Sequence, residues 1–158
     1  MFTKAAGVSR LIAVDTNILV YSVREDSPFH KQASACVRAL AEGAAPWAIP
    51  WPCLHEFVAV VTHPKIYRPP TAVVDALRQV EFWLESPSLR TLGESSEGGG
   101  LHYWKHLRAV AETGAIAGAR VHDARIAAIC RACGVREIWS ADRDFSRIPG
   151  LLVRNPLA

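Results

Sequence analysis

Residues 11–17 read LIAVDTN, an apolar run followed by an acid and two polar residues, and this pattern indicates the class of fold. A short apolar run of this kind is typical of a parallel strand that is buried on both faces. The same signal predicts further strands at Trp47–Ile49, Leu89–Leu92, Glu137–Ser140 and Leu151–Val153. Strands that alternate with helices form a sheet with helices on both faces. The sequence therefore predicts an α/β fold around a mainly parallel sheet of four to five strands.

Helical patterns occupy the chain between these strands. Proline near the start of a segment, and glycine or proline at its end, are the usual boundary signals. The predicted helices run from Pro28 to Gly43, from Trp51 to Thr62, from Thr71 to Glu85, from Leu101 to Glu112 and from Val121 to Cys133. Thr71 is expected to cap the third helix. In such folds, ligands bind at the carboxyl ends of the strands, which is where functional side chains are expected.

Length and composition limit the classes of protein. The chain is most simply one domain over residues 1–158, with residues 1–10 as an N-terminal lead that is free to be flexible. No apolar stretch is long enough to span a membrane, and no signal peptide is recognised, so we expect a cytoplasmic location. The net charge of +3 is too small to establish nucleic-acid binding by itself. We interpret the four cysteines as buried small side chains, because no second pair has zinc-ligand spacing.

Five acids lie where one structural element gives way to the next: Asp15, Glu56, Asp123, Asp142 and Asp144. Taken singly, most can be explained as helix caps or turn residues. Glu56 is harder to explain, because its apolar neighbours indicate a helix against the core, where a lone carboxylate is costly. Two carboxylates about 4 Å apart repel by roughly 4 kcal/mol at an effective dielectric constant near 20. A cluster of these acids would therefore require a cation.

The available ligand types indicate which cation this would be. Mg²⁺ or Mn²⁺ takes oxygen ligands and keeps several waters, which leaves positions for a phosphate oxygen and an attacking water. Zinc is disfavoured, because no set of histidines and cysteines has zinc-ligand spacing. His55-Glu56 begins like the metalloprotease motif H-E-x-x-H, but residue 59 is alanine, which excludes that motif. The acids therefore favour a Mg²⁺ or Mn²⁺ site, and a nuclease is the first hypothesis.

Four motifs, in order along the chain, resemble those of PIN-domain ribonucleases: VDTNIL at residues 14–19, Glu56, HDARIAA at residues 122–128 and SADRDF at residues 140–145. The resemblance extends over about residues 11–153 and is closest to the VapC toxins of bacterial type II toxin–antitoxin (VapBC) pairs. It implies a PIN-like three-layer α/β/α fold and a Mg²⁺- or Mn²⁺-dependent endoribonuclease that hydrolyses RNA phosphodiester bonds. It also implies a VapB-like antitoxin as partner and a homodimer, with no membrane association.

The resemblance further implies roles for single residues. The family's acidic quartet is matched by Asp15, Glu56, Asp123 and Asp142, which would be catalytic residues and metal ligands, with Asp144 as an accessory ligand. Water is expected to attack the phosphorus in line and to leave a 5′-phosphate and a 3′-hydroxyl. Either Asp142 or Glu56 would orient that water.

Polar neighbours of the acids are assigned supporting roles by the same resemblance. The hydroxyls of Thr16 and Ser140 are expected to orient the acids, and Asn17 to support them or the local structure. Arg125 and Arg143 are candidates for contacts with substrate phosphate, although an exposed salt bridge is the role we favour for each.

Three other classes of protein are alternatives to the nuclease. A receiver-type phosphoacceptor module requires a lysine after a late strand, which the strand ends at Ser140 and Val153 do not offer. A structure-specific flap nuclease requires additional length. The remaining alternative is a catalytically inactive PIN-like module that binds RNA or protein, and the presence of all four acids argues against it.

Overall fold

The computed structural model describes residues 11–143, 145 and 148–158. The predictions for residues 1–10 and for Asp144 therefore lie outside the described residues. Within them, five strands form one sheet: β1 (Ile12–Val14), β2 (Trp47–Pro50), β3 (Leu89–Leu92), β4 (Glu137–Trp139) and β5 (Leu152–Arg154). The strand order is β3-β2-β1-β4-β5, and every pair of neighbours is parallel. The predicted parallel sheet is confirmed, with the larger of the two predicted strand numbers. The single-domain organisation stays a prediction.

Six α-helices connect the strands in the described part of the chain: α1 (Thr16–Val23), α2 (His30–Glu42), α3 (Trp51–Val61), α4 (Val73–Leu84), α5 (Gly99–Thr113) and α6 (Val121–Ala132). Helix α1 packs against α2 and α3, α3 packs against α4, and α5 packs against α6. Because the chain reverses its direction across the sheet after β3, right-handed connections place α1–α4 on one face and α5 and α6 on the other. The predicted three-layer α/β/α arrangement is confirmed.

Helix α1 is the element that the sequence patterns did not predict. Its eight residues, TNILVYSV, place an apolar run between polar residues near the two ends, Thr16, Asn17 and Ser22, so no continuous polar face marks a helix. Ile18 and Leu19 are fully buried in the core, and the Asp15 carboxylate caps the helix by accepting the N–H of Thr16 at 2.8 Å. The turn after β1 therefore leads directly into a buried helix.

Three helix starts differ from the prediction by two residues, and the first is that of α2, which begins at His30 rather than at Pro28. Helix α4 begins at Val73 after Ala72, without a side-chain cap, so the predicted cap at Thr71 is wrong. The hydroxyl of Thr71 instead accepts a hydrogen bond from Arg24 at 3.2 Å, and that bond competes with capping. Helix α5 begins at Gly99, two residues before the predicted start at Leu101.

The topology creates a crevice at the carboxyl ends of two central strands, β1 and β4. Strand β1 lies between β2 and β4, and the chain leaves β1 toward β2 and returns to β4 from the opposite side. Such a reversal opens a crevice at the carboxyl ends of the two strands. Val14 is paired with Trp139, and the N–H of Asp15 donates to the carbonyl of Trp139 at 2.9 Å. The crevice therefore begins at Asp15. Within the described residues, no helix is both long and apolar enough to cross a bilayer.

Candidate functional site

A cavity of about 210 Å³ opens at this edge of the sheet. Its lining includes all four acids of the predicted quartet, which come from four separate parts of the chain: Asp15 after β1, Glu56 on α3, Asp123 on α6 and Asp142 after β4. The other lining residues are Thr16, Asn17, Val20, Tyr21, Val60 and Tyr67. The fold thus brings the quartet together around one space.

Asp15 is the most deeply buried of the four acids, at 6% exposure. Its Oδ1 accepts the N–H of Thr16 at 2.8 Å and lies 3.6 Å from the thiol of Cys53. Its Oδ2 accepts the hydroxyl of Ser140 at 2.7 Å and the amide of Asn17 at 3.5 Å. All of these partners are donors, so the surroundings of Asp15 are arranged for an ionised carboxylate.

Burial opposes that ionisation. The pKa of Asp15 is raised from 3.8 to about 6. Loss of solvation is the largest cause and the nearby charge of Glu56 adds to it, while the hydrogen bonds from Ser140 and Thr16 partly offset both. Burial also raises the pKa of the Cys53 thiol well above its ordinary value, so this group stays protonated and remains a donor to Asp15. The protein carries a buried carboxylate whose charge a cation would stabilise.

Thr16 connects Asp15 with Glu56. Its hydroxyl lies 3.1 Å from Glu56 Oε2 and 3.4 Å from the carbonyl of Cys53. The carboxylate of Glu56 is exposed on the cavity side of α3, while Leu54, Phe57 and Val61 face the core. The prediction that this helix packs against the core is therefore confirmed, and the helix turns Glu56 toward the cavity, where Thr16 is its partner.

Ser140 and Asn17 join the ends of β1 and β4. The hydroxyl of Ser140 donates to Asp15 and accepts the amide of Asn17 at 3.2 Å and the N–H of Asp142 at 3.1 Å. The carbonyl oxygen of the Asn17 side chain accepts the N–H of Ala141 at 3.0 Å. These contacts are those expected of residues that orient acids, and the supporting roles of Thr16, Asn17 and Ser140 stay predictions.

The remaining predicted residues lie at the rim. Asp123 is half-buried in the first turn of α6, and Asp142 is exposed in the turn after β4. Arg125 donates to Glu94 at 2.6 Å, a partly exposed ion pair of the kind that we favoured for it. Arg143 is exposed beside Asp142.

The donor set fits a hard divalent cation in its chemistry. Four carboxylates border one cavity, and oxygen ligands are those that such cations prefer. Among the described residues, no three acidic, histidine or cysteine side chains stand close enough together to hold a metal ion as they are.

Sequence reasoning missed five residues at this site. Cys53 contacts Asp15 from α3, and an apolar wall of Val20, Tyr21, Val60 and Tyr67 lines the cavity beside the acids. Helical spacing could have indicated two of these, because Tyr21 follows Asn17 and Val60 follows Glu56 by four residues. No local signal indicates Tyr67, which reaches the cavity from the loop between α3 and α4.

Comparison with known proteins identifies the relatives of this chain. The model of the PIN domain matches residues 12–151. Ribonuclease VapC48 of Mycobacterium tuberculosis is 32% identical over 144 residues, which are 91% of this chain and 96% of the relative. Ribonuclease VapC43 of the same organism is 32% identical over 148 residues, which are 93% of this chain and 96% of the relative.

Solved structures share the fold at lower identity. Mycobacterium tuberculosis VapC20, described as a sarcin–ricin loop cleaving toxin, superposes with a TM-score of 0.63 at 18% identity, covering 91% of this chain and 99% of that one. VapBC2 from Rickettsia felis, bound to a DNA fragment from its promoter, superposes with a TM-score of 0.62 at 20% identity, covering 92% and 98%. These likenesses support the fold alone.

Proposed function

The chain belongs to the PIN-domain family, among the VapC ribonucleases, and on that premise we propose that it is the toxin of a type II toxin–antitoxin pair and a metal-dependent endoribonuclease. The observation that carries the proposal is the convergence of Asp15, Glu56, Asp123 and Asp142 on one cavity at the sheet edge. The alternative of a catalytically inactive binding module has no support, because the relatives are named ribonucleases and none of the four acids has been lost.

Dependence on a divalent metal follows from the family, and we propose Mg²⁺ or Mn²⁺ as the ion. Asp15, Glu56, Asp123 and Asp142 would hold it, with Asp144 as an accessory ligand. When bound, such an ion polarises a phosphodiester and makes a water more acidic. Mg²⁺ and Mn²⁺ suit this donor set because the cavity offers carboxylates and hydroxyls, while its described lining includes neither histidine nor cysteine.

Residues of the chain perform the remaining work. Ser140, Asn17 and the N–H of Thr16 hold Asp15 in one orientation, and Thr16 holds Glu56. Fixed orientation of this kind lowers the cost of reaching the reactive geometry. Glu56 and Asp142 are the exposed acids, so either can orient the water that attacks the phosphorus. Attack in line leaves a 5′-phosphate on one product and a 3′-hydroxyl on the other.

RNA is proposed as the substrate, and Arg125 and Arg143 as contacts with its phosphates. Arg125 lies on α6 two residues after Asp123, and its ion pair with Glu94 is partly exposed. Phosphate can therefore compete with Glu94 for the guanidinium at modest cost. Arg143 follows Asp142 directly in an exposed turn.

Two protein partners are proposed. Solved structures with this fold include complexes of a VapC-like chain with its antitoxin, which supports a VapB-like partner for this chain. We expect a homodimer as well, because α4 and α5 leave large apolar side chains more than half exposed, among them Phe82 at 65% and Leu101 at 69%. The protein is expected to act in the cytoplasm.

The decisive experiment is RNA cleavage by the purified protein. We expect cleavage with Mg²⁺ or Mn²⁺, none with EDTA, and a loss of at least about a hundredfold in Asp15→Asn and Asp123→Asn, since each removes a ligand charge. Asp75→Asn, an exposed acid in α4, is the matched control and should remain active. Undiminished cleavage by folded Asp15→Asn and Asp123→Asn would refute the mechanism. Expression should also arrest bacterial growth, and the small protein encoded beside the gene should relieve the arrest.

A further inference from the structure

The cavity that contains the acids has a second, apolar part. On α1, Asn17 borders the acids and Tyr21 lies four residues further along; on α3, Glu56 and Val60 have the same spacing. Four residues of helix are about 6 Å along the axis and return to the same face. Both helices therefore present a polar turn to the acid site and an apolar turn directly beyond it.

Tyr67 completes the apolar wall from the loop between α3 and α4, and Arg24 holds it there. The guanidinium of Arg24 lies 4.2 Å from the centre of the Tyr67 ring. Arg24 also donates to both carboxylate oxygens of Asp26, at 2.9 and 2.6 Å, and to the hydroxyl of Thr71 at 3.2 Å. The side chain of Arg24 is only 13% exposed, so the cation–π contact is largely shielded from water.

The backbone of the loop is fixed as well. The N–H of Tyr67 donates to the carbonyl of His63 at 3.0 Å, and the N–H of Thr71 donates to that of Val61 at 2.8 Å. The ring of Tyr67 is thus positioned before any ligand arrives. An aromatic side chain that is already ordered loses little entropy when it contacts a ligand.

Neither metal binding nor hydrolysis needs an apolar wall. Carboxylates and water suffice for that chemistry. The contact between Arg24 and Tyr67 is enough to stabilise the loop between α3 and α4, and it does not require Val20, Tyr21 or Val60 to face the cavity. A ligand that has both an anionic group and a flat apolar group would match the two parts. In RNA, a phosphodiester next to a base meets this description, and bases stack on aromatic rings.

We propose that Val20, Tyr21, Val60 and Tyr67 form a subsite for the base of a nucleotide next to the cleaved bond, with Tyr67 as its stacking residue. This rests on the proposed hydrolysis of RNA and names a determinant of substrate choice within it. The base fills the apolar part while the phosphodiester lies at the acids. Arg24 acts on the substrate only through Tyr67, as a positioning residue.

The test is a double-mutant cycle in which Tyr67 is changed in the protein and a base is removed from the RNA. A short single-stranded RNA is used whose cleaved bond has been mapped with the wild-type protein, together with two copies that have an abasic ribose on the 5′ or the 3′ side of that bond. For wild type, one abasic copy should lower kcat/KM by about 5- to 150-fold. For Tyr67→Ala the intact and abasic RNAs should be cleaved alike, and Tyr67→Phe should keep the wild-type difference.

The outcomes separate the subsite from the proposed function. Equal cleavage of all three RNAs by wild type overturns the subsite and leaves the ribonuclease intact. The subsite is also overturned if Tyr67→Ala lowers kcat/KM by the same factor for intact and abasic RNA, so that the wild-type ratio between them remains. A merely structural role would multiply both rates by one factor in this way. Absence of RNA cleavage by wild type overturns both. Leu152→Ala, an exposed apolar residue of β5 outside the cavity, is the control and should keep the wild-type ratio.

A binding measurement on wild type avoids any effect of substitution on folding. With Mg²⁺ present, adenosine and cytidine 5′-monophosphate are titrated against ribose 5-phosphate. At least one nucleotide should bind about fivefold tighter or more than the sugar phosphate. Equal affinity for all three ligands would overturn the subsite, since only the base distinguishes them.

Discussion

Without metal, the protein should lose stability as the pH rises from about 4 to 6, because Asp15 must ionise in a buried position. Burial raises the pKa of Asp15 from 3.8 to about 6. Between these two values the folded protein binds more protons than the unfolded chain, so the free energy of unfolding falls with rising pH. The increase in pKa corresponds to about 3 kcal/mol in the free energy of unfolding, and all of this stability is lost by about pH 7. Such a loss is a large part of a typical domain's stability.

The assay is urea unfolding in EDTA at several pH values between 4 and 8, for wild type and for Asp15→Asn. The asparagine changes the contact with Ser140 by a constant amount, so only the pH dependence of the difference between the two proteins is informative. We expect wild type to lose about 2.5 kcal/mol of unfolding free energy relative to the variant across this window. Asp75→Asn, exposed on α4, should follow wild type.

Mg²⁺ or Mn²⁺ should reverse the effect. An ion that binds only the folded state, at a concentration a hundred times its Kd, adds about 2.7 kcal/mol to the free energy of unfolding, which is close to the cost of the buried charge. The gain should appear near pH 7 and be small in Asp15→Asn. Two results would contradict this effect of Asp15. One is a difference in unfolding free energy between wild type and Asp15→Asn that does not change with pH, and the other is a difference that changes in favour of wild type as the pH rises.

Three further substitutions test the surroundings of the acids. Ser140→Ala removes a donor to Asp15 and an acceptor for Asn17 and Asp142, and should lower the free energy of unfolding by about 1–3 kcal/mol in urea; a change below about 0.5 kcal/mol would show that the network is not needed. Cys53→Ala removes the thiol donor and should weaken Mn²⁺ binding in calorimetry, whereas Cys53→Ser retains a donor and should bind as wild type does; equal weakening in both would assign Cys53 to packing. Arg125→Gln breaks a partly exposed ion pair and should change stability by less than about 1 kcal/mol, while KM for RNA rises with kcat unchanged; an unchanged KM would exclude the phosphate contact.

The strands and the location of the site could be predicted from the sequence because their signals are local. The run at residues 11–14 ends in Asp15, and Ser140 ends the run before Asp142, so a parallel sheet places both acids at one edge. Glu56 and Asp123 lie on helices, and no local rule places them beside Asp15. Their assignment came from the resemblance to PIN domains, and the cavity is consistent with it.

Other features depend on tertiary contacts that leave no pattern in the sequence. Helix α1 was missed because it is buried on nearly all sides and so lacks an amphipathic period. Thr71 appeared to be a helix cap, and its bond to Arg24 depends on a residue 47 positions away. Tyr67 likewise reaches the cavity from a loop, and Cys53 contacts Asp15 from the first turn of α3.

If the four acids form one metal site, crystals soaked in Mn²⁺ should show anomalous scattering from an ion bound there. We expect a peak in the cavity within about 2.0–2.3 Å of carboxylate oxygens from at least three of Asp15, Glu56, Asp123 and Asp142. Asp15→Asn crystals soaked in the same way should show a weaker peak or none. A fully soaked wild-type crystal with no peak in this cavity, or with its strongest peak elsewhere on the molecule, would contradict the claim.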